Sequence, residues 1–461
     1  MDKNAIPPGL PRRDFIRKTA AAAAAVAATP LLKTPVYGQE TAPSANVIGA
    51  NDRIAVAVIG VGEGIGQNHV VGIHQNEKQT NTVLAAASDL FTLRREFAQK
   101  NANLKDSDVY EDYRKILDRK DIDAVVIAAH DIWHAQISMD AAQAGKHVYC
   151  EKPLTRYLDE AYKVHAVIKA TKVRFQVGAQ GCSAGGWHKC ADLIKSGDLG
   201  KLVWSQGYYC RNSKEGEWNW PFDRECTAEN VNWDVWQGRV HERVPFNQED
   251  FYRWRKYYRY SSGPLTDLVP HRLLPLMLAS GNPEFPSRVV CIGTNCIHPD
   301  RVDNNPERET PEHEQFIAEF PSGYLITIVV STVNARSPGF VLYTHKASLE
   351  VATAGDRIQL LPERPFADDI DPTVYPGPAH PESLAPEDIR THEKNFFDCI
   401  RSGKECNANV DLALQSQAVI SLAEMSQRLK KAFLYDGKSR TISDNEGNKI
   451  DPITYGTLPL S

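Results

Sequence analysis

Arg53-Ile-Ala-Val-Ala-Val-Ile59, running without a break into Gly60-Val-Gly62-Glu-Gly64-Ile-Gly66, decides the fold. A continuous apolar run of this length suits a parallel strand covered on both faces, and the glycines after it let the backbone turn directly into a helix. Strand, glycine turn and helix in that order make a phosphate cradle. A side chain on the turn would keep the backbone amides from a pyrophosphate, whose charge rests on those amides and on the start of the helix. The spacing departs from strict G-x-G-x-x-G, because Ile65 stands where the third glycine is due and that glycine falls at 66, as though one residue were inserted. Gly60 and Gly62 keep firm assignments, whereas those of Gly64 and Gly66 are looser.

Outward from the cradle, Thr82-Val-Leu-Ala-Ala-Ala-Ser88 reads as a second strand ending in Asp89, a little over 20 residues past the last glycine. A carboxylate there suits a ribose diol, with charge-assisted hydrogen bonds of roughly 1.5 to 3 kcal/mol each, and repels a 2′-phosphate. NAD is therefore expected over NADP, although Arg94 and Arg95 nearby suit a phosphate and Asp89 also suits a helix N-cap. A third buried strand, residues 124–129, leads into His130-Asp-Ile-Trp-His134 and a helix over 135–144 closed by Gly145. Then comes His147-Val-Tyr-Cys150, with Glu151-Lys152-Pro153 at its carboxyl end. In a parallel dinucleotide-binding sheet a residue just past a late strand faces the reacting edge of the cofactor, so the Lys152 ammonium can polarise a substrate hydroxyl as hydride leaves.

The second half reads differently. Leu202–Cys210 opens a sheet continued by 288–292, 314–320, 325–333 and 347–352. Six of the eight tryptophans lie between Trp204 and Trp254, among them Trp236, and aromatic faces suit the C–H faces of sugars as well as they suit core packing. Tyr252-Arg-Trp-Arg-Lys-Tyr-Tyr-Arg259 interleaves rings and cations, so Arg253, Arg255 and Tyr258 join Trp236 as candidate substrate contacts. A carboxylate or sulfonate on the substrate is one reading of this run, and a solvated strand face is the other. Asp267 and His271 are four apart, which on one helix puts them on one face, the aspartate orienting the imidazole; Pro270 fits a helix start.

The glycine loop with His69 soon after it, His130-Asp-Ile-Trp-His134, and Ala144-Gly-Lys-His-Val-Tyr-Cys-Glu-Lys-Pro-Leu154 together resemble the glucose-fructose oxidoreductase/inositol dehydrogenase (Gfo/Idh/MocA) family, over about residues 52–440. The resemblance implies an α/β Rossmann domain with a doubly wound parallel sheet, then an α+β domain with a large open, mainly antiparallel sheet. That sheet would bear substrate on one face and pair subunits, as a dimer or tetramer, through the other. The resemblance also implies that His130, Trp133, His134 and Glu151 join the glycines, Asp89 and Lys152 around NAD. It makes Lys152, Asp267 and His271 the catalytic group, with His271 as general base, Lys152 polarising the oxygen and Asp267 holding the assembly. The family holds sugar and cyclitol dehydrogenases as well as NAD-dependent glycosidases, so the expected activity is hydride transfer at a ring carbinol of a sugar, cyclitol or glycoside with tightly bound NAD. The alternative is hydrolysis by oxidation, elimination, hydration and re-reduction. Asn232-Trp-Asp-Val-Trp-Gln-Gly238 resembles a motif of exported members.

The start of the chain agrees with export. Pro11-Arg12-Arg13-Asp14-Phe15-Ile16-Arg17-Lys18 precedes an alanine run to Ala28, in the form of a twin-arginine signal over residues 1–38 with a cut before Gln39. The apolar run is well short of the roughly 20 residues a membrane helix needs, so no stable anchor is expected. The protein would reach the periplasm folded, with its nucleotide already loaded. A linker (39–51), the dinucleotide domain (52–180), the substrate domain (181–440, its helix 388–402 packing back on the first) and a tail (441–461) complete the division. With 461 residues, 42% apolar, and a net charge of −5, the chain has core enough for two domains and no basic tract to track nucleic acid. Nine cysteines show neither a disulfide framework nor zinc spacing, and no metal is expected. Cys291/Cys296 and Cys399/Cys406 are the pairs that oxidation after export would join.

Overall fold

The structure, a computed structural model, describes residues 53–295, 297–298, 308–371, 375–377 and 381–455. The export signal, its cut and the linker lie outside the described residues, as does Cys296.

The first apolar runs become strands β1 (Ile54–Ile59), β2 (Thr82–Ser88), β3 (Val109–Tyr110), β4 (Ala124–Ile127), β5 (His147–Glu151) and β6 (Phe175–Gly178), all parallel, in the order β3-β2-β1-β4-β5-β6. Strand order reverses between β1 and β4, and the crevice at their carboxyl ends is where such a sheet binds a ligand. Both faces are covered, which is why the strands read as unbroken apolar runs. On one face Val56, Val58, Val126 and Tyr149 pack with Phe396, Phe397 and Ile400 of the late helix Ile389–Ser402, which returns from the far end of the chain. Asp388 caps that helix, its carboxylate accepting from Thr391 N at 2.7 Å, and Gly403 ends it in the left-handed conformation.

The second sheet has eleven strands: β7 (Leu202–Cys210), β8 (Arg288–Thr294), β9 (His313–Glu319), β10 (Leu325–Ser331), β11 (Phe340–Thr344), β12 (Ala347–Val351), β13 (Arg357–Pro362), β14 (Glu382–Ser383), β15 (Phe433–Asp436), β16 (Thr441–Asp444) and β17 (Lys449–Ile450). Their order is β14-β13-β12-β11-β7-β10-β9-β8-β15-β16-β17, and only β7–β10 pair in parallel. The expected tail is thus corrected. Ile442 and Asp444 face inward on β16, while Tyr455 packs edge-on against Tyr157 of the first domain at 4.7 Å and donates to Ile132 O. Strands of two to four residues are too short to show a period.

The inner face of this sheet is covered by the helices Pro270–Ala279 and Val410–Leu429. Leu273, Leu276, Ile328 and Val419 share one core with Ile127, Cys150 and Val177 of the first sheet. The two domains are therefore packed through apolar contact, with each large buried side chain contributing about 1.5 to 3 kcal/mol. Cys399 and Cys406 are buried free thiols. No helix of the described residues is long and apolar enough to cross a membrane.

Candidate active site

A cavity of about 660 Å³ opens at the carboxyl ends of β1, β2, β4 and β5. Its floor is the glycine turn. Gly60 has φ +94°, and a Cβ on it would stand 2.5 Å from Ala129 N; one on Gly66 would stand 2.6 Å from Gly60 O. The first substitution would push the turn off the chain that follows β4, and the second would force the helix Ile65–Gln75 off the turn after β1. Gly62 has no such neighbour and faces the cavity, so its missing side chain leaves room for a ligand. Gly64 is the residue before the helix, at φ +90°. The inserted residue thus lies between cradle and helix, and Gly66 rather than residue 65 makes the close helix–strand contact.

Asp89 stands on the cavity wall, its Oδ2 accepting from Val61 N at 2.7 Å and its Oδ1 from Phe91 N at 2.9 Å. These bonds fix the carboxylate beside the glycine turn. Arg94 also reaches the wall, but its guanidinium is paired with Glu63 at 2.6 Å and lies over the Phe251 ring. Glu63 and Glu111 add further negative charge to the lining. The end of the cavity that would take an adenosine ribose is acidic, with its cation already paired, which suits a diol and disfavours a 2′-phosphate. The residues present fit NAD: a cradle that a Cβ would fill, a fixed carboxylate for the ribose, and a lysine at the opposite side.

That lysine follows β5. Lys152 Nζ donates to Asp267 Oδ1 at 2.5 Å and to Asp267 O at 2.9 Å, and Arg255 Nε donates to the same Oδ1 at 2.9 Å. Arg211 stands 3.7 Å from Oδ2 and pairs with Glu217 at 2.7 Å. Burial alone would raise the Asp267 carboxyl, but Arg255 and Lys152, helped by Arg211, outweigh it and hold the group far below the usual carboxylate range. Asp267 ends the short helix Pro264–Asp267, and His271 begins the next, Pro270–Ala279. The break between them means that no hydrogen bond among the described residues joins the two, contrary to the expected Asp–His pair. Burial, then the charges of Lys152 and Arg272, hold the His271 imidazole well below its ordinary 6.5, so the ring is neutral near pH 7. It lies against Tyr209, with ring centroids 5.8 Å apart.

Behind the lysine is a buried triad that sequence reasoning did not assemble. His69 Nε2 bonds Glu151 Oε1 at 2.9 Å, and its Nδ1 bonds Glu393 Oε1 at 2.6 Å. Burial opposes the charge, but hydrogen bonds and Coulomb attraction from Glu151 and Glu393 push the ring up to about 9. Glu151 lines the cavity, with its Oε2 buried and unpartnered. His69 and Glu393 are 324 residues apart, so no spacing could have signalled their meeting.

The remaining candidates divide. His130, Trp133, Trp236 and Arg255 line the cavity. His130 is stacked on Trp236 at 4.2 Å, with burial first and His134 second driving it down to about 3. Three placements correct the expectation. His134 spends both ring nitrogens on the carbonyls of Pro153 and Ala129, at 2.7 and 2.9 Å, and braces the turn after Lys152 instead of touching the cavity. Arg253 is buried, bonding Trp220 O and Glu249, and the Tyr258 hydroxyl donates to Gln427 at 2.9 Å, so neither lines the cavity. The run 252–259 is a helix end followed by a tight turn, so the reading of it as a solvated strand face does not hold. The aromatics that do line the cavity include Trp220, Phe222, Tyr252 and Trp254.

With this geometry in hand, the comparisons are specific about the first domain. Residues 54–179 match the model of GFO_IDH_MocA, the oxidoreductase family with an NAD-binding Rossmann fold. Inositol 2-dehydrogenase of Salmonella typhimurium is 25% identical over 236 residues, covering 50% of this chain and 65% of that one. Glycosyl hydrolase family 109 protein 2 of Shewanella sp. (strain ANA-3) is 26% identical over 215 residues, covering 44% and 46%. The chain thus matches between about half and two thirds of the length of these relatives. The structure of levoglucosan dehydrogenase in complex with NADH superposes with a TM-score of 0.62 at 18% identity, over 86% of this chain and 100% of the other, a likeness of fold in both domains. The match to the NAD-binding Rossmann model of that oxidoreductase family thus spans the first domain, residues 54–179.

Proposed function

We propose that the protein is an NAD-dependent oxidoreductase acting on a ring CH–OH of a sugar, cyclitol or glycoside, with NAD held as a resident group. The observation that carries this reading is that Lys152, tied to Asp267 across the domain boundary, stands on the wall of the same cavity whose floor is the glycine cradle. The glycine turn, Asp89 and Glu151 would hold the dinucleotide. Bound there, NAD supplies the acceptor for the hydride that leaves the carbinol carbon. Lys152 donates a hydrogen bond to the substrate oxygen and stabilises the charge that grows on it as the carbonyl forms. Neutral His271 accepts the hydroxyl proton on a ring nitrogen. Asp267 anchors both Lys152 and Arg255 by accepting from each on one carboxylate oxygen. Trp236, Trp220 and Trp254 offer apolar faces to the ring.

A second reading is favoured by the similarity to a glycosyl hydrolase family 109 protein: transient oxidation of the sugar acidifies the neighbouring C–H, the glycosidic bond is eliminated, and hydration and re-reduction follow. A panel of aryl glycosides tests both. A keto-sugar formed in step with the bound NAD supports the dehydrogenase, catalytic release of the aryl alcohol without added NAD supports the hydrolase, and neither product from any sugar, cyclitol or glycoside would refute both.

Two further parts of the proposal rest on the chain outside this site. Residues 1–38 direct twin-arginine export of the folded protein to the periplasm, with no lasting anchor. Two copies pair through the outer face of the second sheet, on which Val290 pairs with Ile317 and Ile292 is 71% exposed.

A further inference from the structure

The wall of the cavity opposite the glycine cradle belongs to the second domain. It is built from a segment between β7 and the helix Pro264–Asp267, and this segment has its own core: Cys226, Val231, Trp233, Trp236, Phe251 and Tyr260 pack together. Two residues of the first domain, Phe91 and Ile132, are part of that same core. Backbone hydrogen bonds pin the segment at the mouth of the dinucleotide end: Thr92 N donates to Asn230 O and Asn232 N to Leu90 O, both at 3.0 Å, around an antiparallel bridge between Phe91 and Val231. Trp133 Nε1 donates to Trp236 O at 3.2 Å and pins the other end. Where Asp89 and Arg94 mark the ribose side, the facing surfaces are Phe222 and Tyr252, their rings 6.2 Å apart. Arg253 supports this pair from behind, its guanidinium 4.3 Å from the Phe222 ring while it bonds Trp220 O.

We infer that this aromatic segment is a fixed wall over the adenosine end of the dinucleotide, with Phe222 and Tyr252 as cofactor-binding residues supplied by the second domain, and that it makes NAD a group that does not exchange during turnover. The inference rests on the NAD-dependent reading above and names what enforces residency. A nucleotide held only by a Rossmann crevice leaves by sliding outward. Here departure requires the wall to lift, which pulls Phe91 and Ile132 out of an apolar cluster and breaks the hydrogen bonds at 90–92. Openings that disrupt a packed cluster are rare excursions. Aromatic rings facing the purine add stacking that strengthens the closed state.

The test is a chase. The mature protein, loaded with NAD, is mixed with excess isotopically labelled NAD, and the nucleotide still bound after rapid gel filtration is weighed by mass spectrometry over time. The wild type should keep its original NAD for hours. F222A should release it roughly ten- to a hundredfold faster, as expected for loss of a stacking surface, while F222Y behaves as wild type. Y252L removes the second ring of the pair and should also speed release. Thermal melts of the variants separate a loosened wall from an unfolded one. Wild-type exchange within seconds, or unchanged release in folded F222A and Y252L, would overturn the inference while leaving the dehydrogenase reading standing. Wild-type protein that neither carries nor takes up NAD would overturn both.

Discussion

Lys152 Nζ donates to both the carboxylate and the backbone carbonyl of Asp267, at 2.5 and 2.9 Å, so the residue after the fifth strand of one domain is joined to the last residue of a short helix in the other. The two bonds fix the position of the ammonium. The carboxylate already answers Arg255, and its own ionisation is secured by the cations around it.

Two substitutions separate these roles. Lys152→Met should lower kcat by roughly 10²- to 10⁴-fold, the range for a group acting on the moving proton and developing charge, with bound NAD retained. Asp267→Asn keeps the shape but leaves Lys152 and Arg255 without their counter-charge. It should lower kcat by about 10- to 100-fold, because the ammonium and the guanidinium lose the carboxylate that holds them in place. Steady-state kinetics read both. An unchanged kcat in D267N would refute the proposed coupling.

His271 gives a prediction about pH. A base must be unprotonated, and burial with the nearby Lys152 and Arg272 keeps this ring neutral well below 6.5. Activity should therefore rise with pH only on the acidic side of 6.5 and be flat through neutrality. His271→Ala should cost roughly 10²-fold or more in kcat, partly restored by added imidazole. A His271 limb near pH 7 in the wild type would contradict the electrostatics.

How far the sequence revealed this site depends on what each residue answers to. β1, β4 and β5 were legible because strands buried on both faces must be apolar throughout, and the glycine turn because steric demands fall on Gly60 and Gly66 themselves. Asp267 was legible as a partner of Lys152, though neither it nor His271 is among the residues lining the cavity, and the expected relation of the two fails because four-residue spacing implies a shared helix and the chain breaks between them. Arg253 and Arg255 looked alike in sequence. The helix ends between them, so Arg253 turns inward to Glu249 and Arg255 outward to Asp267. The partner that removes Arg253 from the site also takes Lys256 and Tyr257, and nothing in a run of alternating rings and cations announces it. His69, Glu151 and Glu393 meet only through tertiary packing.

Nucleotide choice should follow Asp89. Its carboxylate is fixed by Val61 N and Phe91 N, and Arg94 is neutralised by Glu63. Asp89→Ser should weaken NAD by about 10-fold or more, the scale of one charge-assisted hydrogen bond. Adding Glu63→Gln frees Arg94 and should shift preference toward NADP. Binding isotherms for both nucleotides decide it. A D89S/E63Q protein that still prefers NAD by the wild-type margin would remove Asp89 from the selectivity.

The outer face of the second sheet offers a separate test. Val290, Ile292, Ile317 and Leu325 are exposed on neighbouring strands, with Val290 directly opposite Ile317. Contiguous apolar area of this kind on a sheet is what the proposed pairing of two copies would cover. Ile317→Lys should convert the oligomer to monomer in light scattering with little change in the melt of the isolated subunit. A wild-type monomer at micromolar concentration would exclude pairing.

The buried triad links pH to stability. His69 carries a folded-state pKa of about 9 against 6.5 for a free ring. A raised pKa means that the protonated form is stabilised by folding. The contribution is therefore complete below pH 6.5, shrinks between 6.5 and 9, and is absent above 9. The gap sets an upper scale of roughly 3 kcal/mol. Above pH 9 a neutral ring has only one N–H for two carboxylates, so one of Glu151 and Glu393 loses the imidazole as a donor and keeps only Gln180 or Arg390. Because Glu151 also lines the cavity, NAD affinity should weaken over the same window as the melting temperature falls. His69→Gln keeps two hydrogen-bonding atoms but no charge. It should melt lower than wild type at pH 6 and converge with it near pH 9.5, and parallel melting curves across that range would show that the ring is not charged in the fold.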